Sequence, residues 1–368
     1  MEDQLFRQRI TSLKQQMNER QIDVVMMTSP VNIYYFTGFY SDPHERFMAL
    51  VIDFNTDEDM LFVPLLDLEA AKAESYVQNV ITVSDTEDPF QIFFDNVSKE
   101  INRFGVEKKQ LSLFQYEQIR QRFSEAVWID MEGLIESFRL HKSPNEIKKI
   151  SKAIKMIEEV METGRKQIKV GMTETDLVAE LEYQMRKVGS DGPSFSPIVL
   201  TGKKSALPHG HPGNAAIAPN DFVLIDMGVK TEGYCSDITR TFLVGEGSKE
   251  QEKLYHIVLE STQKAIDAVN TGSTLGSVDD AARSWITQAG YGDYFNNRVG
   301  HGLGLEVHEA PSVHGLNQEL IAPGMVFTIE PGIYIPALGG VRIEDNVYVN
   351  ESGEVEVLTS YPKQLIRV

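Results

Sequence analysis

The fold of this chain is decided by Phe222-Val-Leu-Ile-Asp226-Met-Gly228 and Tyr234-Cys-Ser-Asp237-Ile-Thr-Arg-Thr-Phe242, two apolar runs that follow each other closely. The polar stretch Lys230-Thr-Glu-Gly233 joins them. Two β-prone runs on either side of a short segment that contains glycine are typical of a β-hairpin. The pattern therefore predicts two antiparallel strands, each associated with one aspartate.

The register of this hairpin determines how close its two carboxylates come. With the turn centred on Thr231 and Glu232, Asp226 and Asp237 are predicted to be direct cross-strand partners. Like charges on opposed residues destabilise a sheet, because their Cβ atoms lie roughly 4.5–5.5 Å apart. A divalent cation between the two carboxylates would remove this repulsion, so the hairpin predicts a metal site.

Two more carboxylates and one histidine follow in similar surroundings. Glu330 ends an apolar run, Glu344 lies in a second β-prone segment, and His301 is flanked by glycines. Four carboxylates and one imidazole suit two divalent cations. Carboxylates favour Mn, Mg or Ca, whereas imidazole favours Mn, Fe, Co or Zn. Manganese meets both preferences, with Co, Zn or Fe as the other candidates.

Such a pair of cations predicts a class of reaction. Two cations about 3.5–4 Å apart lower the pKa of a shared water and polarise a carbonyl oxygen. A single carboxylate in a strand would ordinarily be a solvated or helix-capping residue, but that explanation fails for five ligand-type residues in this order. The set predicts a two-metal hydrolase that acts on amide bonds.

Composition excludes several other classes of protein. The chain has 35 lysine and arginine residues against 54 aspartate and glutamate residues, a formal charge of −19, which disfavours nucleic-acid binding. Its single cysteine, Cys235, rules out an intramolecular disulfide. The N-terminal residues lack a secretory pattern, and no apolar run approaches the roughly 20 residues of a membrane span. We therefore expect a cytoplasmic protein with no membrane partner.

The 368 residues exceed the size at which a single core stops growing, about 250–300 residues, so two domains are expected. Upstream of residue 140, strand-like runs at 23–27, 47–52 and 60–63 alternate with helical stretches such as Gln91 to Phe104. This alternation predicts an α/β layer structure.

The second domain is predicted to begin with a long helix. Ser143 and Glu146 have the spacing of a capping box, and Gly171 is a plausible end of the helix. We place the boundary between an α/β domain at 1–139 and an α+β domain with a mostly antiparallel sheet at 143–368.

The ordered residues resemble the metal-ligand pattern of the pita-bread metallopeptidases, a family that includes methionine aminopeptidase, aminopeptidase P and prolidase. Two N-terminal segments, Tyr34-Tyr-Phe-Thr-Gly-Phe39 and Asp42-Pro-His-Glu-Arg46, make the whole chain most similar to bacterial Xaa-Pro dipeptidases. The resemblance implies a creatinase-like N-terminal domain, a curved pita-bread sheet, a homodimer, and cleavage of proline-containing dipeptides or short peptides. It implies the metal ligands Asp226, Asp237, His301, Glu330 and Glu344.

The resemblance also implies roles beyond metal binding. Glu330 matches the proton shuttle, and His308 and His209 match catalytic, substrate-contacting histidines; a turn histidine is the alternative for His209. Arg342 matches a site arginine that could bind the carboxylate of proline, and its alternative is an ion pair with the metal carboxylates. Arg46 is predicted to bind substrate by closing the pocket.

Four other functions are alternatives. Aminopeptidase P would cleave the Xaa-Pro bond of longer peptides. It differs from a dipeptidase in whether the N-terminal domain blocks the pocket beyond one residue. Non-catalytic peptide-binding relatives and creatine amidinohydrolase share the fold but lack the full ligand set. Methionine aminopeptidase would leave the N-terminal domain of about 140 residues without a role.

Overall fold

The computed structural model describes residues 2–368, and side chains from residue 4 onward. Backbone contacts divide the chain into two units, Met1–Phe138 and Arg139–Val368. The first is an α/β unit and the second an α+β unit with antiparallel sheets, so the predicted fold class is confirmed. None of the helices within residues 2–368 combines the length and the apolar character that crossing a bilayer requires.

The first part of the chain builds a six-stranded mixed sheet in the order β4-β3-β2-β1-β5-β6. Strand β1 is antiparallel to β2 and parallel to β5. The three predicted strands are present. The elements are α1 (Glu2–Glu19), β1 (Val24–Met27), α2 (Pro30–Thr37), β2 (Ala49–Asp53), β3 (Glu58–Pro64), a 3-10 turn (Leu65–Asp67), α3 (Leu68–Glu74), β4 (Asn79–Val83), α4 (Pro89–Asn96), β5 (Arg103–Val106), α5 (Leu113–Arg122), β6 (Val127–Asp130) and α6 (Glu132–Leu140).

The predicted helix from Gln91 to Phe104 is wrong in its second half. Helix α4 ends at Asn96, and Phe104 is a fully buried residue of strand β5. Just after the helix, the backbone N–H of Ser98 donates to the carboxylate of Asp53 at 2.8 Å. This contact with β2 lies just past the end of the helix, and no local sequence pattern predicts the contact.

The second part of the chain forms two larger antiparallel sheets, β12-β9-β8 and β14-β13-β15-β18-β19, and two small ones, β11-β10-β7 and β16-β17. Its elements are α7 (Pro144–Gln167), α8 (Glu174–Lys187), β7 (Gly192–Pro193), β8 (Ile198–Thr201), a 3-10 turn (Gly202–Ala206), β9 (Phe222–Met227), β10 (Val229–Thr231), β11 (Tyr234–Cys235), β12 (Ile238–Leu243), α9 (Lys249–Ala268), α10 (Leu275–Gln288), a 3-10 turn (Gly292–Tyr294), β13 (Gly300–Gly302), β14 (Glu309–Val313), β15 (Val326–Ile329), β16 (Gly332–Ile335), β17 (Gly339–Arg342), β18 (Asp345–Val349) and β19 (Val355–Val357).

Helix α7 has the predicted start but ends earlier than predicted. The backbone N–H of Ser143 donates to Glu146 Oε2 at 2.8 Å, which confirms the capping box. The helix ends at Gln167, four residues before Gly171. Gly171 instead donates its N–H to the carbonyl of Ile217 at 2.8 Å, so the glycine belongs to the connection and not to the helix.

Packing of the helices determines which sheet face carries polar residues. Val223 and Ile225 of β9 share one buried apolar cluster with Ile157 of α7 and Leu181 of α8. Successive side chains of a strand point to opposite faces, so Asp226 lies on the face away from these helices. Helices α9 and α10 cover β15, β17 and β18 in the same way. The polar faces of these strands therefore point away from the helices and line a cavity.

The hairpin is present, but its turn lies one residue later than predicted. Thr231 pairs with Tyr234, so the two turn residues are Glu232 and Gly233, with φ of 50° and 83°. A two-residue turn with positive φ at both positions matches the twist of a hairpin. Gly233 adopts this conformation at no steric cost, whereas the β-branched Thr231 of the predicted turn would be strained there.

The corrected register changes the relation between the two aspartates. Asp226 pairs with Thr239, and Asp237 lies two positions before Thr239. The prediction of direct cross-strand partners is therefore wrong. Positions two apart lie on the same face of a strand, so the carboxylates are diagonal neighbours on one face.

A buried charge cluster supports the segment that follows His301. The Glu309 carboxylate accepts hydrogen bonds from Arg139 and from Lys142 Nζ, the latter at 2.7 Å, and all three side chains are buried. Burial raises the pKa of Glu309, but the Lys142 and Arg139 charges outweigh it and hold the pKa below its ordinary value. The carboxylate thus stays ionised.

Replacing Glu309 with glutamine is expected to destabilise the protein by about 3–5 kcal/mol at pH 7, because it breaks a buried ion pair and leaves the cations without their partner. A depressed pKa in the folded state contributes stability above the ordinary carboxyl pKa of 4.5, and this stability is lost as the pH falls through the folded value. The difference from wild type should therefore shrink below about pH 4.5. Melting temperatures of wild type and Glu309→Gln at pH 7 and pH 4 measure this difference.

The matched control is Glu306→Gln. Glu306 bonds to the same Arg139 at 2.8 Å, but its side chain is 45% exposed. An exposed pair contributes about 0–1 kcal/mol, so this change should have little effect. Equal destabilisation by Glu309→Gln at both pH values would contradict the assigned role of the Glu309 charge.

Candidate metal centre

Eight of the nine predicted site residues line one cavity of about 620 Å³ in the C-terminal unit. They come from separate strands and loops, so the cavity depends on the tertiary fold. The eight are His209, Asp226, Asp237, His301, His308, Glu330, Arg342 and Glu344.

The five ligand-type residues lie at or near strand ends. Asp226 is in β9, Asp237 precedes β12, and His301 is in β13. Glu330 directly follows β15, and Glu344 directly precedes β18. Because the strands belong to the two larger sheets, the cavity forms where those sheets bring these positions together.

Close packing of β13 fixes the position of His301. A Cβ atom on the neighbouring Gly300 would lie 1.9 Å from the carbonyl oxygen of Thr328 on β15. Only glycine permits this approach. The backbone N–H of His301 donates to Thr328 Oγ1 at 3.1 Å, which ties the histidine to β15, the strand that Glu330 directly follows.

Three of the ligand-type residues converge closely. Asp237, His301 and Glu344 each offer one ligand atom, and these atoms lie within 4.8 Å of one another. His301 Nε2 lies 3.7 Å from Asp237 Oδ2 and 3.3 Å from Glu330 Oε1. The arrangement places carboxylate oxygens around the lone pair of one imidazole.

The cluster is electrostatically strained without a cation. Burial, followed by repulsion from neighbouring carboxylates, raises the pKa of Asp237 and Glu344 well above their ordinary values. Burial raises the pKa of Glu330 to about 8, an effect that Arg342 opposes. Burial lowers the pKa of His301 to about 3, with a further contribution from His308. The imidazole is therefore neutral and able to act as a metal ligand.

The hydrogen-bond pattern also fits bound cations. Among the described side chains, residues 4–368, the buried oxygens Asp226 Oδ1, Asp237 Oδ1 and Glu344 Oε1 have no hydrogen-bond partner. Buried polar atoms are almost always paired, so unpaired carboxylate oxygens need another partner. Oxygen atoms beside a neutral imidazole are suitable ligands for divalent cations.

The two further histidines, His308 and His209, are both exposed. His308 is perpendicular to His301, with ring centroids 4.2 Å apart. Partial loss of solvation at the His308 ring, together with the nearby Arg298 charge, lowers the pKa of His308. His209 is exposed on the loop after β8, and buried Glu174 holds the base of this loop by accepting from Gly213 N–H at 2.9 Å.

Arg342 makes the ion pair that the sequence offered as the alternative to carboxylate binding. Its buried guanidinium lies 2.5 Å from Asp226 Oδ2 and donates to the Tyr334 hydroxyl at 2.8 Å. It also donates to Thr239 Oγ1 at 3.1 Å. These partners surround the guanidinium, so Arg342 orients Asp226 in this structure.

Arg46 belongs to the N-terminal unit. Its guanidinium pairs with the Asp85 carboxylate at 2.8 Å, and its side chain is partly exposed. Its role in closing the pocket stays a prediction.

The cavity is also lined by residues that were not predicted from the sequence. Phe195, Asn296, Asn297, Arg298 and Tyr334 also line it. Asn296-Asn-Arg298 comes just before the strand of His301, and this polar stretch beside a ligand was the available signal. Phe195 and Tyr334 carried no comparable signal, because their neighbours in sequence are not site residues.

Comparison with known proteins agrees with this geometry. Residues 148–351 match Metallopeptidase family M24, and residues 9–141 match the Creatinase/Prolidase N-terminal domain. The chain belongs to metallopeptidase family M24 and is a metallopeptidase with the pita-bread fold. The predicted family is thus confirmed.

Three relatives illustrate the range of this similarity. A putative dipeptidase, YkvY of Bacillus subtilis (strain 168), is 43% identical over 338 residues, covering 91% of this chain and 93% of the relative. The structure of an Xaa-Pro dipeptidase from Bacillus anthracis is 34% identical with a TM-score of 0.91 and covers 99% and 100% of the two chains. An X-Pro aminopeptidase from Thermotoga maritima MSB8 is 34% identical with a TM-score of 0.85, covering 95% and 98%.

Proposed function

We propose that this metallopeptidase is an Xaa-Pro dipeptidase that binds two divalent cations, with manganese preferred, and releases C-terminal proline. The observation that carries the proposal is the convergence of four carboxylates and a neutral imidazole in one cavity, where three carboxylate oxygens have no hydrogen-bond partner in the described part of the chain, residues 4–368. The Bacillus anthracis relative, named an Xaa-Pro dipeptidase, supports the choice of substrate. A homodimer, which the family resemblance implies, and a cytoplasmic location, which is expected from the sequence, are part of the proposal.

The proposed cation ligands are Asp226, Asp237, His301, Glu330 and Glu344. When bound, divalent cations supply Lewis acidity that polarises a carbonyl group and eases the ionisation of water. Arg342 keeps Asp226 in place through its ion pair at 2.5 Å.

Glu330 is the proposed proton shuttle. Its carboxylate lines the cavity and lies 3.3 Å from His301 Nε2. In this role it accepts a proton from the attacking water and delivers it to the proline nitrogen that leaves. An amide anion is a poor leaving group, so the proline nitrogen, which carries no hydrogen in the peptide bond, needs this proton to leave as a secondary amine.

His308 and His209 are proposed to act on the substrate carbonyl and the peptide. The lowered pKa of His308 keeps its imidazole neutral at neutral pH, so it can donate an N–H to the oxygen that gains negative charge. His209 sits on the loop at the cavity and can bind the peptide from that side. The half-buried Phe195 offers an apolar contact for the proline ring.

The proposal predicts faster cleavage of a dipeptide than of a longer peptide. With added Mn²⁺, alanyl-proline should be hydrolysed with a higher kcat/KM than alanyl-prolyl-alanine, and a chelator should abolish both reactions. A cavity of about 620 Å³ has the size of a small-ligand site. Preferred cleavage of the tripeptide would move the assignment to aminopeptidase P, as in the Thermotoga maritima relative. Cleavage of neither peptide despite bound cation would favour a non-catalytic binding protein.

A further inference from the structure

Two arginines line the cavity, and only one of them is engaged by the carboxylate cluster. Arg342 is buried and bonded to Asp226 and Tyr334. Arg298 is exposed, and its guanidinium makes no ion pair with any side chain that the structure describes, residues 4–368. A chain with a net charge of −19 repels anionic ligands, so an arginine without a carboxylate partner is notable at this location.

A hydroxyl group positions Arg298 beside the catalytic residues. Arg298 Nη1 donates to Ser312 Oγ at 3.1 Å. Ser312 of β14 is the direct strand partner of His301 in β13. The serine therefore anchors the arginine next to the proposed metal ligand, while the remaining guanidinium donors stay available for a ligand.

Arg298 lines the same cavity as His308 and Glu330, so its positive charge lies at the proposed substrate site. A negative group on a peptide held near these residues would therefore be attracted to Arg298. Arg342 cannot take this role without leaving Asp226.

We propose that Arg298 binds the free α-carboxylate of the proline residue in an Xaa-Pro dipeptide and so selects dipeptides over longer peptides. The inference rests on the proposed function. The planar guanidinium can bind a carboxylate through two parallel N–H donors. One additional residue moves the terminal carboxylate away by about 3.5 Å, which takes it out of hydrogen-bond range of an anchored arginine.

The test compares the substrate acid with its neutral amide. Wild type and the Arg298→Ala and Arg298→Lys variants are assayed with added Mn²⁺ on alanyl-proline and on alanyl-prolinamide. For Arg298→Ala, kcat/KM for the acid should fall about 10- to 100-fold more than kcat/KM for the amide, mainly through KM, because only the acid loses a charge-assisted contact. Arg298→Lys keeps the positive charge but lacks the planar pair of N–H donors. It should show a smaller difference between acid and amide than Arg298→Ala does.

Arg122→Ala is the matched control, since Arg122 is exposed on α5 and does not line the cavity. Melting temperatures show whether each variant is folded; the exposed position of Arg298 predicts that both Arg298 variants are. Equal losses on acid and amide, or a wild type that does not distinguish them, would overturn the inference while leaving dipeptidase activity intact. A wild type that cleaves longer peptides but no Xaa-Pro dipeptide would overturn the proposed function together with the inference.

Discussion

Replacing Glu330 with glutamine is expected to lower kcat/KM for Xaa-Pro hydrolysis by about 10²–10⁴-fold, because the amide cannot accept the proton of the attacking water. The loss should appear in kcat at saturating Mn²⁺. Steady-state kinetics on alanyl-proline, with cation content measured on the same samples, separates proton transfer from cation binding. The matched control is Glu117→Gln, an exposed glutamate of α5.

The same variant is expected to be more stable than wild type when cations are removed. The pKa of Glu330 is raised from 4.5 to about 8, so the folded metal-free protein holds this proton more tightly than the unfolded chain does. Ionisation therefore costs stability as the pH rises from 4.5 towards 8, and glutamine removes this cost. The Glu330→Gln chain should melt higher than wild type with chelator at pH 8.5, and the difference should vanish at pH 4. A retained activity, or a lower melting temperature at pH 8.5, would contradict the assigned position of this carboxylate.

Removal of divalent cations is expected to abolish hydrolysis completely and to lower the melting temperature at neutral pH. The buried oxygens Asp226 Oδ1, Asp237 Oδ1 and Glu344 Oε1 have no hydrogen-bond partner among residues 4–368, and the proposed cations would supply one. A ligand that binds only the folded state stabilises it by about 2.7 kcal/mol at a concentration 100 times its Kd. Thermal melting with chelator and with increasing Mn²⁺ measures the shift, and re-addition of Mn²⁺ should restore activity.

The pH dependence and a variant provide the controls for cation removal. Carboxylate ligands must be deprotonated to bind a cation, so the Mn²⁺-induced rise in melting temperature should be larger at pH 8 than at pH 5. The Asp237→Asn variant should lose most of this rise, because asparagine carries no charge at the centre of the cluster. Full activity in excess chelator would contradict a metal-dependent reaction.

Local patterns in the sequence predicted those features that depend on local physics. The Ser143 capping box and the strand at 24–27 follow from nearby residues alone, and both are present. The ligand-type residues could be recognised because each sits in a short β-prone or glycine-flanked segment.

The features that were wrong or missed depend on tertiary contacts or on backbone conformation in a turn. The end of α4 depends on a contact between Ser98 and Asp53, 45 residues apart. The hairpin register depends on positive φ values at Glu232 and Gly233, which a hydrophobic pattern does not reveal. The ion pair of Arg342 with Asp226 joins residues 116 positions apart. The spacing of residues in the sequence could not show whether Arg342 forms this ion pair or binds substrate.

The most direct test is a count of cations per chain, by equilibrium dialysis of purified protein against Mn²⁺ at neutral pH followed by elemental analysis. The proposed centre predicts about two Mn²⁺ per wild-type chain and a clear reduction in Asp237→Asn. A wild-type chain that binds no Mn²⁺, or an Asp237→Asn chain that binds as much as wild type, would contradict the assignment of this carboxylate cluster as a two-cation site.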